Sequence, residues 1–264
     1  MPPQGCSSGR TSGQNAIYWE KEGEGAPVLL LHELGGTMRS WDAARSKLVK
    51  DFTVVAIDQR GAGQSAQVAS AYGLSDQMDD VLAVMQEAGI DRPAMIVAVA
   101  ASSFVAVSLA AHHPDMVCGL VLCSPSLAIT PQQRETTLAR ARQVRAEGMA
   151  RLVDGAMAAL FPEHLRDARF PSYLQSFLEQ DAEAYARASE ALAQSECDPA
   201  MVRQPSLILA GDCDFRPVEQ SRRLADGFCA GSFAVVPGAG HVPHFHAPGS
   251  VATLITRFAQ EIRR

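Results

Sequence analysis

One stretch, Met95-Ile-Val-Ala-Val-Ala-Ala-Ser-Ser-Phe-Val-Ala-Val-Ser-Leu-Ala110, limits what this chain can fold into more than any other. Ala94–Val99 is a continuous apolar run of the kind that forms a strand buried on both faces of a parallel sheet. It stops at a cluster of small residues, and the spacing beyond them predicts a helix that runs towards Pro114. A strand that snaps into a helix brings the two backbones nearly into contact, so the residues flanking the turn must be small. Ala98 and Ser102 satisfy that requirement. The turn between them falls at residue 100, which is alanine.

The remaining chain alternates strand and helix signals around this turn. Ile17–Glu22 and Pro27–Leu31 read as strands, Ser40–Val49 as a helix, Phe52–Ile57 as a buried strand, and Leu74–Ala88 as an amphipathic helix stopped by Gly89. Val117–Cys123, Ser206–Ala210 and Ser232–Val236 are further strands, with helices over Val218–Phe228 and near Ser250–Ile262. Between Thr130 and about Met201 the pattern is charged, Ala-rich and helical, with breaks expected at Pro162 and Pro171. Thr130-Pro131 supplies an N-cap and a proline suited to the first helical position. The chain therefore reads as α/β: a mostly parallel central sheet flanked by helices, with an inserted helical cap. The expected division is a flexible tail over 1–13, a core of 14–129 and 202–264, and a cap over 130–201.

A length of 264 residues suits one such unit, since α/β folds of roughly 250 residues are common as single domains. The net charge of -6 argues against nucleic acid as a partner. No apolar run reaches the ~20 residues of a membrane span, and the N-terminus lacks the basic and apolar regions of a secretion signal, so a cytoplasmic location is expected. The six cysteines, Cys6, Cys118, Cys123, Cys197, Cys213 and Cys229, form no C-x-x-C pair and have no histidine at ligand spacing. Neither a disulfide framework nor a metal site is indicated, and no cofactor is expected.

Five motifs in order, His32-Glu-Leu-Gly-Gly36, Asp58-Gln-Arg-Gly-Ala-Gly-Gln-Ser65, the turn at residue 100, Gly211-Asp-Cys-Asp214 and Gly240-His241, resemble the α/β-hydrolase superfamily. The helical insertion, through Gly148-Met149 and Asp181 with Tyr185-Ala186, is similar to the cap of 3-oxoadipate enol-lactonases. The resemblance implies a nucleophile elbow at residue 100, a general base at His241 and an orienting acid at Asp214. It also implies an oxyanion hole from the backbone N–H groups of Leu34 and Ala101. Asp212 reads as a turn former, and His244 and His246 fall beyond the motif. Glu33 stands where the family usually carries glycine, either turned out to solvent or placing a charge at the pocket mouth.

Alanine cannot attack a carbonyl, and three readings of Ala100 follow. It is a serine changed to trap an inactive protein, or a native residue in an enzyme whose His241–Asp214 dyad activates water or substrate directly, or the mark of a non-catalytic binding or sensor protein. Ala98 and Ser102 favour the second over the first, because a single engineered change would leave the family's glycines in place. Ser102 and Ser103 are poor substitutes, since each step along a helix turns the side chain by about 100°. Cys123 reads as a buried filler. The expected partner is a small, anionic substrate, with Glu33, Arg60, Ser102 and Arg140 as substrate-binding candidates; a homodimer is left open, and no membrane partner is expected. The resulting expectation is a small-molecule hydrolase acting on a lactone, ester, amide or β-dicarbonyl, of the kind met in aromatic catabolism.

Overall fold

Alternation of side chains along the buried strands sets the architecture. In the strand Ala26–Leu31, Val28 and Leu30 enter one apolar cluster and Leu29 and Leu31 enter another. In Ala94–Val99 the same split separates Met95, Val97 and Val99 from Ala94, Ile96 and Ala98. A strand apolar on both sides must be covered on both sides, which requires a sheet between two helical layers. A computed structural model, described over residues 6–13, 15–68 and 70–262, has this arrangement.

The elements run β1 (Ser7–Arg10), β2 (Tyr18–Glu22), β3 (Ala26–Leu31), α1 (Asp42–Leu48), β4 (Phe52–Ile57), α2 (Leu74–Glu87), β5 (Ala94–Val99), α3 (Ser103–His112) and β6 (Val117–Cys123). Then come α4 (Pro131–Glu147), α5 (Val153–Leu160), α6 (Phe170–Leu178), α7 (Ala182–Gln194), β7 (Ser206–Gly211), α8 (Val218–Ala225), β8 (Gly231–Val236), α9 (Pro243–His246) and α10 (Pro248–Glu261). The sheet order is β1-β2-β4-β3-β5-β6-β7-β8, parallel from β4 to β8 and antiparallel where β1 meets β2 and β2 meets β4. β3 hands the chain to β4 on one side and has β5 on its other, so the carboxyl ends of β3 and β5 border the crevice where ligands of open α/β sheets bind. Among the described residues no helix is long and apolar enough to cross a membrane.

The expected flexible tail is corrected over part of its length. Ser7–Arg10 pairs with β2, from Ser7 opposite Lys21 to Arg10 opposite Tyr18. The strand has no apolar residue to signal it; backbone pairing makes it, and Gly9 leaves room for the Trp19 indole, which a Cβ there would meet at 2.7 Å. Residues 1–5 of that tail lie outside the described residues. In the cap, Thr130 Oγ1 accepts the Gln133 N–H at 3.2 Å and Gln133 Oε1 accepts the Thr130 N–H at 2.9 Å, a reciprocal cap that starts α4. α4 packs on α7, and Arg145 bridges them by pairing with Glu183 at 2.5 Å and with Glu190. Pro171 does not break the cap where expected. It sits in the first turn of α6, where its missing N–H costs no helical bond.

Candidate active site

The turn after β5 is strained in the way its position demands. Ala100 has φ 49°, in the left-handed region, where a Cβ costs about 1–2 kcal/mol. Its neighbour Ser102 holds the turn: the hydroxyl accepts the Val99 N–H at 2.9 Å and lies 2.9 Å from Val99 O and 3.3 Å from Leu31 O. The Ser102 hydroxyl is thus committed to the backbone of β5 and β3, although the residue borders a small pocket with Leu34 and Ala101. Ser103 is fully buried in α3.

Asp214 and His241 come from the loops after β7 and β8. Asp214 Oδ1 accepts the Arg216 N–H at 3.0 Å, and both carboxylate oxygens lie 3.0–3.1 Å from His241 Nδ1. Burial alone would raise the Asp214 pKa, but the hydrogen bond and charge of His241 hold it below the usual carboxylate value. Donating Nδ1–H to Asp214 leaves Nε2 as the basic nitrogen of His241. The Phe215 ring packs against that ring at a tilt, with centroids 4.7 Å apart. Asp212 accepts the Gly238 N–H at 2.7 Å, and His246 Nδ1 accepts the Gly240 N–H at 3.1 Å, so both shape the loop that carries His241. Gly211 is required here, because a Cβ would collide with the Ala239 and Gly240 carbonyls.

Leu34, Ala100, Ala101 and His241 line one cavity of about 600 Å³ between sheet and cap. Arg140 and Arg151 of the cap line it as well, as does Arg216 beside the dyad. Arg140 Nε is buried without a hydrogen-bond partner. Arg60, expected as a substrate anchor, is not on this wall. It makes a two-pronged pair with Asp80 of α2 at 2.7 and 2.8 Å and lies over the Tyr72 ring at 5.2 Å. Its charge is paired with Asp80, and it lines a separate, smaller pocket that also borders Leu34 and Ala101. Cys123 is fully buried at the end of β6, and burial together with the nearby Glu33 charge pushes its thiol far up, leaving no thiolate to act as a nucleophile.

Glu33 is neither turned out to solvent nor free at the pocket mouth. It is buried, with Oε1 accepting the Tyr173 O–H at 2.8 Å, and Oε2 lying 3.3 Å from Ser40 Oγ and 3.3 Å from His244 Nε2. His244 is itself fully buried, bonded to Ser40 at 3.1 Å and packed at a tilt against the Trp41 ring, with centroids 4.2 Å apart. Burial would raise the Glu33 pKa, but the hydrogen bond and charge of His244, with the charge of His32, lower it from 4.5 to about 2. A carboxylate depressed in the folded state adds stability above its ordinary pKa and loses it as pH falls towards the folded value. The melting temperature should therefore fall between pH 5 and pH 3 more steeply for the wild type than for Glu33→Gln; parallel curves would show that Glu33 is not held in its charged form.

Sequence reasoning missed the Glu33–His244 pairing and the wall formed by Phe215 and Arg216. The second was within reach, since both residues directly follow the acid candidate. The loops 32–36 and 58–65 also interlock: Gln59 N–H donates to His32 Nε2 at 2.9 Å and the Gln59 side chain donates to His32 O at 2.6 Å. Asp58 accepts the N–H groups of Met38 and Gln64 at 2.8 Å each.

Comparison with known proteins agrees with this architecture. A family model described as alpha/beta hydrolase fold matches residues 26–248. A relative from Klebsiella pneumoniae (strain 342), named "Putative carbamate hydrolase RutD", is 30% identical over 229 residues, covering 82% of this chain and 85% of the relative. A protein of the same name from Caulobacter is 26% identical over 259 residues, covering 92% and 96%. Among solved structures, a thermophilic esterase from Thermogutta terrifontis superposes with a TM-score of 0.91 at 24% identity, covering 98% of this chain and all of that one. The enol-lactonase from Burkholderia xenovorans LB400 gives 0.88 at 23%, covering 96% and 100%.

Proposed function

We propose that this chain, which belongs to the alpha/beta hydrolase fold family, is a hydrolase that cleaves a small anionic carbonyl compound without a serine nucleophile. The bond in question belongs to a lactone, ester, amide, β-dicarbonyl or, by likeness to the RutD relatives, a carbamate. The observation that carries the reading is that His241, paired with Asp214, shares a cavity wall with a strained elbow whose side chain is only a methyl group. Positive φ at a non-glycine residue is costly to keep, and at Ala100 it falls in the turn that borders the cavity His241 lines. The non-catalytic binder is less well served by these features.

In this reading His241 Nε2 removes a proton from water as the water oxygen attacks the substrate carbonyl carbon. The electron pair displaced onto the carbonyl oxygen is met by the N–H groups of Leu34 and Ala101. Such donors are worth about 3 kcal/mol each to a transition state. His241, now imidazolium and steadied by Asp214, returns the proton to the leaving group as the tetrahedral centre collapses. The guanidinium of Arg140, whose buried Nε has no hydrogen-bond partner, holds the substrate's anionic group. Six cysteines that follow no disulfide spacing pattern suit a reducing compartment such as the cytoplasm.

Intact-mass spectrometry during turnover tests the mechanism. No covalent adduct should accumulate, and an acyl-enzyme on any residue would overturn the direct attack by water. Arg140→Gln should raise KM by about tenfold or more with a smaller change in kcat, in line with loss of a charge-assisted hydrogen bond worth about 1.5–3 kcal/mol. An unchanged KM would remove Arg140 from the site.

A further inference from the structure

The loop 33–36 is gripped from the cap by four side chains. Tyr173 of α6 donates to the Glu33 carboxylate at 2.8 Å. Gln180, between α6 and α7, donates to Gly35 O. Phe177 and Tyr185 close over Gly35, where a Cβ would meet them at 2.8 and 3.3 Å. From the core, Ser40 and His244 hold the other carboxylate oxygen. Gly36 N–H donates to Glu33 O at 3.0 Å and closes the turn, and a Cβ at Gly36 would collide with the Glu33 carboxylate.

Glu33 could in principle act as a second base, because it also lines the cavity. Its environment argues against that. Both oxygens are engaged, and a carboxyl held at about 2 is a weak proton acceptor at neutral pH. Its position in the loop points elsewhere: Leu34, whose N–H is the proposed oxyanion donor, lies between Glu33 and the Gly35 carbonyl, and both neighbours are tied to the cap.

We propose that Glu33 is a positioning residue that joins the oxyanion loop to the cap through Tyr173, so that the Leu34 N–H is correctly aimed only when the cap is seated. Binding beneath the cap and assembly of the oxyanion hole are then one event, and an empty site with a raised cap is a poor catalyst. The inference rests on the proposed hydrolytic role of Leu34, but its structural part does not need activity to be observed.

The test is hydrogen–deuterium exchange of the full chain, comparing wild type with Tyr173→Phe, Glu33→Gln and the double variant. Tyr173→Phe removes one hydroxyl and leaves the ring's packing, so it should fold even if Glu33→Gln does not. The peptide spanning 32–36 should exchange about tenfold faster in each single variant, while β7 is unchanged, and the double variant should be no faster than the worse single one because both break the same link. Unchanged exchange in loop 32–36 for Tyr173→Phe, or fully additive effects, would overturn the coupling. Where hydrolysis is measurable, kcat should fall about tenfold in Tyr173→Phe with KM little altered. Exchange that responds while no substrate is turned over by the wild type would leave the coupling standing and count against the hydrolase reading alone.

Discussion

His241→Ala is expected to abolish measurable turnover, with a loss of about 10²–10⁴-fold for a general base. No other described group on the cavity wall replaces it. Glu33 has both oxygens engaged, and Asp214 has its oxygens on the ring being removed and on the Arg216 N–H. The substitution is not structurally silent, because it leaves the Asp214 carboxylate, 2% exposed, with one partner fewer. A buried acceptor that loses its partner costs about 1–3 kcal/mol. His241→Gln, which keeps an amide N–H within reach of Asp214, should recover much of that stability and none of the activity. Kinetics and thermal melts on both variants separate the two effects. Retained turnover in either would show that the base lies elsewhere.

Ala100→Ser should create esterase activity towards an activated ester where the parent has little. The backbone already holds the elbow conformation at φ 49°, and serine adds no strain that alanine does not carry there. The new hydroxyl enters the cavity that His241 lines, and a paired hydroxyl spares the ~1–3 kcal/mol cost of an unsatisfied one. An acyl-enzyme at residue 100 should now be detectable. The native reaction discriminates between histories. If alanine is native, serine occupies the place of the attacking water and the native rate falls; if alanine replaced an original serine, the native rate is restored. No ester hydrolysis together with a clear drop in melting temperature would mean that His241 does not face residue 100.

Sequence alone reached the parts of this molecule that local chemistry dictates. β5 and the turn at Ala100 were legible because an uninterrupted apolar run must be a doubly buried strand, and the start of α4 because Thr130-Pro131 is itself a cap. The dyad was legible only through the order of motifs, since Asp214 and His241 are 27 residues apart and meet through two strands that lie side by side. What escaped depended on long-range charge pairing. Nothing near Arg60 announces that Asp80, on the facing surface of α2, will claim it. Glu33 and His244 are brought together only when α9 packs against the turn that carries Ser40 and Trp41. β1 escaped for the opposite reason: a polar four-residue segment acquires its strand conformation from a neighbour's open edge rather than from its own side chains.

The contact of the Trp41 ring with His244 at 4.2 Å makes the molecule its own optical instrument. Indole emission responds to what packs against the ring, so Trp41 reports on its contact with His244, the side chain that pairs with Glu33. The chain has two tryptophans, and Trp19 belongs to the apolar cluster on the other face of the sheet. Its emission serves as a constant reference. A ligand that presses the cap onto the loop at Glu33, or a substitution that frees it, should change the Trp41 component of the spectrum while Trp19 stays fixed, giving a label-free titration of an event that no coloured substrate is yet needed to see.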